Sequence, residues 1–313
     1  MVRLMAEWSA ERVVDERLAR RLIGEQFPHL AAAPMRLIGE GWDSTAWLVG
    51  GEWVVRFPRR EVVLPGLNRE MQALVQLAPR LPLRIPVAEL QGRPTAEFPW
   101  PWAGSRFIPG REVGEAAPSD EQRIAHGAAL GSFLRALHDA DPAAVMVDGA
   151  VLPVDVVHRA DMPYRVAKLR DRLASLERLG LWRPPAGIDP LLERAAELPP
   201  PAPDTLRVCH GDLHLRHLLV DDGGELSGVI DWIDVCRGDP AIDLPLYWGY
   251  LPPAGRAAFE QAYGELDDAA LLRSRVLAVF LWATMVEYAH DVGPAWLGRE
   301  ALSGLGRALA DLG

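Results

Sequence analysis

The stretch Val208–Asp234, "VCHGDLHLRHLLVDDGGELSGVIDWID", decides how this chain is read. Histidine, aspartate and glycine crowd between apolar runs. Asp212 follows His210 and Gly211, His217 stands five residues further on, and Asp231 closes the apolar pair Val229-Ile230. Moving a phosphoryl group from a nucleotide to an alcohol needs a carboxylate at the hydroxyl, ligands for the cation on the phosphates, and a fixed positive charge. Asp212 and Asp231 supply the first two of these.

The spacing sharpens that reading. "HGDLHLRH" follows the catalytic-loop template H-x-D-x-x-x-x-N from His210 through Asp212 to position 217, where His replaces Asn. "GVIDWID" ends an apolar strand on Asp231, which suits a Mg²⁺-nucleotide site because that cation keeps several waters and asks for few protein ligands. Competing chemistries lack their motifs: there is no G-x-x-x-x-G-K-[ST], no G-x-G-x-x-G opening a helix and no G-x-S-x-G elbow. After "IDW" there is also no D-F-G or A-P-E segment of the kind that docks a peptide.

Upstream, short β-type runs are punctuated by glycine: "MRLIG", "STAWLVG" and "GEWVVRF", with Gly50-Gly51 as a hairpin turn. In "GEGWDSTAW", Gly39 and Gly41 let backbone approach phosphates, and Ser44 and Thr45 offer hydroxyls. Arg56 is the candidate strand cation. Glu70, its candidate partner, falls in the first turn of a helix read from Asn68 to Ala78. A first helix carries the stripe Val13, Val14, Leu18, Leu22 and Ile23 with Ser9 as N-cap. "GSRFIPGREV" is the passage to a second, mainly helical half, in which Ser119 and Gln122 make a capping box and Leu271–His290 is the most apolar helix. The order is not a repeated βαβ pattern.

Bulk properties set the frame. The 313 residues suffice for two cores, and 49% apolar with 24% charged residues describes a folding chain. A net charge of −10 argues against a nucleic-acid partner and suits a cationic ligand. The longest uncharged apolar run, Val276–Val286, is too short to span a bilayer, and the N-terminus lacks a signal-peptide core, so no membrane partner and a cytoplasmic location are expected. Cys209 and Cys236 are read as buried hydrophobes. His210, His214, Asp239 and Asp243 are read as structural braces, Glu287, Tyr288 and His290 as a solvated helix end, and the eleven Trp as core.

Through "HGDLHLRHLLVD", "GVIDWID", "GDPAIDL" and "GEGWDSTAW…VVRFPRR…NRE", the chain resembles the aminoglycoside phosphotransferase family of kinase-like small-molecule phosphotransferases. The resemblance implies an α+β, bilobal protein-kinase-like fold: a small antiparallel-sheet nucleotide-binding lobe over residues 1–105, and a helical lobe with catalytic loop and acceptor site over 106–313. It implies ATP or GTP as donor and Mg²⁺ as cofactor, a nucleotide cleft between the lobes, and a small-molecule hydroxyl as acceptor. By the same resemblance Asp212 is the catalytic carboxylate, His217 and Asp231 hold metal, Arg56 contacts phosphates, and backbone around Ser105, Phe107 and Ile108 meets the base.

Two positions depart from the family pattern. His217 stands where Asn is usual, as it does in macrolide phosphotransferases, and Arg56 stands where Lys is usual. Arg keeps the charge but not the compact ammonium geometry. The expected acceptor is an aminoglycoside, which the acidic net charge favours; a macrolide comes second, on His217, and an endogenous amino-alcohol or sugar stays open. A nucleotide-binding pseudokinase is the non-enzymatic alternative, resting on the same two departures.

Overall fold

The structure is a computed structural model, described over residues 10–312. The chain forms two compact units. One comprises the described residues through Pro79 together with Ile85–Ile108; the other comprises Arg80–Arg84 and the chain from Pro109 onward.

The first unit is a five-stranded antiparallel sheet with two helices. α1 (Glu16–Gln26) begins at Asp15, whose carboxylate accepts the Leu18 N–H at 2.8 Å. The expected cap, Ser9, lies outside the described residues. β1 (Met35–Glu40), β2 (Ser44–Val49), β3 (Trp53–Pro58), β4 (Ala88–Gly92) and β5 (Trp102–Arg106) assemble in the order β1-β2-β3-β5-β4. The β2–β3 turn needs its glycines, because Gly50 and Gly51 adopt φ of 64° and 73°. α2 spans Leu64–Leu77.

That helix starts earlier than Asn68 because Pro65 sits in its first turn, where a missing N–H costs nothing. Glu70 therefore lies one turn further in than expected, away from the helix terminus. The unit's core is aromatic: Phe57 lies 5.0 Å from Trp102 and 5.7 Å from Phe98, ring to ring. The first unit also runs past the expected boundary at 105. β5 continues to Arg106, and the Phe107 N–H donates to Glu52 O at 2.7 Å, which keeps both residues with the sheet.

The second unit is mainly helical. β6 (Arg111–Glu112) and a short α3 (Val113–Ala116) precede α4 (Asp120–His138), whose capping box is complete: Ser119 Oγ accepts from Gln122 N and Gln122 Oε1 from Ser119 N. The minor hairpin β7 (Met146–Val147) and β8 (Ala150–Val151) leads to α5 (Met162–Arg178) and α6 (Ile188–Ala196). Then come the short strands β9 (Arg207–Cys209), β10 (Leu218–Val220), β11 (Leu226–Val229) and β12 (Cys236–Gly238). β9 pairs with β12, and β10 pairs with β11 and β6, all antiparallel. α7 (Pro245–Gly249), α8 (Pro253–Tyr263), α9 (Asp268–Asp291) and α10 (Ala295–Leu309) complete the unit.

α9 is longer and more apolar than the uncharged run suggested. With a mean hydropathy of 1.6 over its best window it could cross a membrane by length and composition, yet 61% of that window is buried in the protein. Trp282 within it has no exposed surface, as expected of a core helix. Trp102 and Trp232 are likewise fully buried, whereas Trp42 at the β1–β2 turn is 46% exposed and stands outside the core.

Candidate active site

Two loops of the second unit run side by side. The first, from His210 to His217, joins β9 to β10; the second, from Ile230 to Val235, joins β11 to β12. They are stitched together by the Ile230 N–H to His217 O at 2.9 Å and by His210 Nε2 to Ile230 O at 3.0 Å. Gly211 is required here: its φ is 88°, and a Cβ would stand 2.5 Å from the Asp234 carbonyl oxygen.

Beneath the first loop, the fully buried carboxylate of Asp243 accepts the N–H groups of His210 (2.7 Å) and Gly211 (2.8 Å) and meets His138 Nε2 at 3.2 Å. Burial by itself would raise this carboxyl; the hydrogen bond and charge of His138, then His210 and the Gly211 N–H, outweigh it and hold it below the ordinary range. The anchor holds Asp212 in place from below.

The three loop histidines have readable proton positions. His210 Nδ1 accepts the Asp212 N–H at 3.2 Å, so its proton lies on Nε2 and is donated to Ile230 O. Burial drives its pKa down to about 4, which keeps it neutral. His214 Nδ1 likewise accepts the Arg216 N–H at 3.2 Å, which turns its Nε2 toward Asp212 Oδ2, 3.6 Å away. His217 is the reverse case. Its Nδ1 donates to the Asp212 carbonyl at 2.8 Å, and Nε2 faces Asp231 Oδ2 at 3.3 Å.

His217 is pushed up to about 9: burial opposes its charge, but the charge of Asp231, the hydrogen bond to it, and Asp212 outweigh burial. With the second proton gone, the Nε2 lone pair points at the same place as the Asp231 carboxylate. Asp231 itself holds a left-handed backbone, φ 64°, unusual for a residue other than glycine and tolerated best by Asp and Asn. Such a conformation persists only where its surroundings over-determine it, and it recurs at ligand sites.

Asp212 and Asp231 are the accessible members, with 39% and 40% of their side chains exposed. The Asp212 carboxyl is pushed up to about 7, by burial first; His217 and Arg159 pull down while Asp234 and Asp231 push up. Donor atoms of Asp212, His214 and His217 lie within 4.8 Å of one another, close enough to share an ion. The loop thus brings Asp212, His217 and Asp231 together as the spacing implied.

Asp212 also opens onto a cleft of about 430 Å³, counting its mouth. Leu277, Phe280 and Leu281 of α9 give it an apolar wall, and Arg159 and Arg165 contribute the charge. Sequence reading missed both arginines. The only local signal was "HRADMPYR", an Asp-Met-Pro helix start that does not reveal what faces Asp212.

In the first unit, Arg56 of β3 is ion-paired with Glu70 of α2, whose side chain is 2% exposed. A buried carboxylate fixes that guanidinium. At the β1–β2 turn, the Gly41 N–H donates to Ser44 O at 3.0 Å. A Cβ at Gly39 would meet nothing within 4 Å, and at Gly41 only Ser44 O at 3.8 Å. Neither glycine is demanded by crowding or by a positive φ, unlike Gly50 and Gly51 with their left-handed backbone, and the space beside them is open.

Thr45, read as a hydroxyl donor to phosphate, faces the interior. Strand alternation turns it inward, 1% exposed, while Ser44 one residue earlier stays half-buried on the other face. Ser105 is a buried residue of β5 opposite Val54, and Ile108 is buried. The Phe107 N–H is engaged with Glu52, so it is not available to a base.

Known proteins bear on this geometry at three levels. A family model described as "Phosphotransferase enzyme family" (APH) matches residues 34–277. Among curated proteins, the uncharacterized protein YcbJ of Bacillus subtilis (strain 168) is 33% identical over 88 residues, 28% of this chain; that stretch is 25% of YcbJ, so the match spans about a quarter of that relative's length.

Among solved structures, the GDP and kanamycin complex of APH(2")-IIIa superposes with a TM-score of 0.67 at 23% identity, covering 94% of this chain and 98% of that one. Macrolide 2'-phosphotransferase MphH from Brachybacterium faecium follows at 0.62 and 22%, covering 92% and 97%. The streptomycin-ATP complex of APH(2")-IIa gives 0.55 and 18%, covering 95% and 98%. At these identities the structures establish the kinase-like α+β fold. With the family model spanning most of its length, the chain belongs to the APH phosphotransferase enzyme family.

Proposed function

We propose that this protein transfers the γ-phosphate of ATP or GTP, with Mg²⁺, to a hydroxyl of a small molecule. The observation that carries the reading is His217 set between two carboxylates, Asp212 Oδ2 3.8 Å from its Nδ1 and Asp231 Oδ2 3.3 Å from its Nε2, with Nδ1 committed to the Asp212 carbonyl. An imidazole and a carboxylate 3.3 Å apart, with the Asp231 side chain 40% exposed, suit a divalent cation that keeps most of its ligands as water and phosphate oxygens. His217 and Asp231 would hold the cation, which when bound neutralises charge on the transferring phosphate.

Asp212 accepts the proton of the acceptor hydroxyl. A carboxyl pushed up to about 7 is a better base than a free one, and close to half of it is ionised at neutrality. Arg56, fixed by Glu70, offers a charge for the remaining phosphates, and the open turn at Gly39 and Gly41 offers backbone. Support for nucleotide as donor comes from relatives described as GDP or ATP complexes.

An aminoglycoside acceptor draws on the acidic net charge and on relatives solved with kanamycin, gentamicin or streptomycin. The cleft beside Asp212 speaks against it, since one acid and two arginines line it. The test is phosphotransfer, read by product mass, with ATP and GTP separately and Asp212→Ala as control. A product heavier by one phosphate, absent with Asp212→Ala, is expected. Transfer that survives in Asp212→Ala would reject the role of Asp212.

A further inference from the structure

The wall of the Asp212 cleft carries a cation that, among the described residues, no acid approaches within ion-pair distance. Arg165, on the first turns of α5, is 9% exposed. Its Nε donates to the Arg159 carbonyl at 3.3 Å, and its guanidinium carbon lies 4.5 Å from the centroid of the Phe280 ring. Among the described residues it makes no ion pair. The neighbouring cations are all matched: Arg159 by Asp155 (2.6 Å) and Asp234 (3.1 Å), and Arg172 by Glu287.

A guanidinium nine-tenths buried without a counter-charge is costly to keep, unless a ligand supplies the charge. The Phe280 ring and the bond from Nε to the Arg159 carbonyl position the guanidinium, and among the described residues its Nη atoms make no hydrogen bond. A planar fork fixed on an aromatic face is suited to binding an oxyanion through two parallel hydrogen bonds.

We propose that the acceptor is an anionic hydroxyl compound whose carboxylate or phosphate seats on Arg165, with its apolar part against Phe280 and Leu281 and its hydroxyl at Asp212. The inference rests on the phosphotransferase reading for the role of Asp212, but the anion seat stands on its own geometry. A polycationic acceptor would meet Arg165 with like charge and find one carboxylate, Asp212, on the cleft wall.

The test is calorimetric binding to the full chain, with Mg²⁺ and ADP present, of four probes: gluconate, glucose 6-phosphate, neutral glucose and polycationic kanamycin. At least one anion is expected to bind about tenfold or more tighter than glucose, the worth of a hydrogen bond to a charged group. Preference for gluconate alone names a carboxylate; preference for glucose 6-phosphate names a phosphate. Arg165→Gln is expected to bring the ratio toward one, and Arg165→Lys to keep part of it.

Kanamycin binding tighter than both anions, no anion preference, or an anion preference retained in Arg165→Gln would overturn the proposal. If Arg165→Gln fails to fold by circular dichroism, wild type decides: the preference must weaken as salt is raised, and a salt-independent ratio overturns the seat. Product mass separates the two readings. Anion preference without any phosphorylated product sinks the phosphotransferase reading and keeps the seat, whereas phosphorylated kanamycin with no anion preference does the reverse.

Discussion

His138 meets Asp243 at 3.2 Å and His217 meets Asp231 at 3.3 Å, an imidazole on a carboxylate in both cases. The surroundings differ. At Asp243 every direction is taken: two backbone N–H groups, His138, and Tyr263 behind it, whose hydroxyl meets His138 Nδ1 at 2.7 Å. Asp231 has 40% of its side chain exposed and a left-handed backbone. The same pair of residue types thus makes a fixed anchor where buried and saturated, and where half-exposed it makes the pair proposed to hold the cation.

The sharpest way to break that contrast is Asp231→Asn. Asn tolerates the left-handed backbone, so folding free energy is expected to move by no more than about 1 kcal/mol. Phosphotransfer is expected to fall about a thousandfold, or about 4 kcal/mol of barrier. Denaturant unfolding and steady-state transfer on one preparation would check both. A loss of stability matching the loss of rate would make Asp231 a structural residue like Asp243.

The converse variant is Asp243→Asn. One carboxylate oxygen becomes an amide that cannot accept the N–H of His210 or Gly211, and breaking a buried charge network of this kind costs about 3 kcal/mol or more. Urea unfolding should show that loss, with any fall in activity following from a displaced loop. Should stability hold and only transfer fall, the anchor reading is wrong.

The variant pair also has a pH signature. The Asp243 carboxyl is depressed, so its contribution to stability is complete above the unfolded value of about 3.9 and fades as pH falls through the lower folded value. Unfolding curves of wild type and Asp243→Asn are expected to converge in acid and diverge toward neutrality. A gap that stays constant across the acid range would mean the carboxylate charge does not act.

What was legible in the sequence follows from the range of each contact. Asp212, His217 and Asp231 come together through two adjacent loops of paired strands, so short-range spacing was enough to group them. The capping box at Ser119 and the hairpin at Gly50-Gly51 are local as well. Arg159 and Arg165 reach the Asp212 cleft from more than forty residues upstream, and no periodicity encodes that approach. Thr45 was misjudged because a strand reverses its face at every residue, and the start of α2 because Pro65 looked like a break. His214 was read as a brace, and its Nδ1 does accept the Arg216 N–H within the loop, with its ring beside Asp212 and His217.

The smallest expected effect concerns His217 itself. In the cation-free site the imidazole is held at about 9, well above the ~6.5 of free His from which a loss of affinity only in mild acid would be expected. A cation on Nε2 must displace that proton. Affinity is therefore expected to rise by up to about tenfold per pH unit from pH about 6 toward 9, the proton being shed as the cation binds. His217→Asn, which restores the residue usual in the family, carries no such proton and should give a nearly flat profile above pH about 6. Mn²⁺ titration followed by electron paramagnetic resonance, on wild type and His217→Asn at several pH values, reads the two slopes. Parallel profiles would remove His217 from the ligand set and leave Asp231 to hold the cation without it.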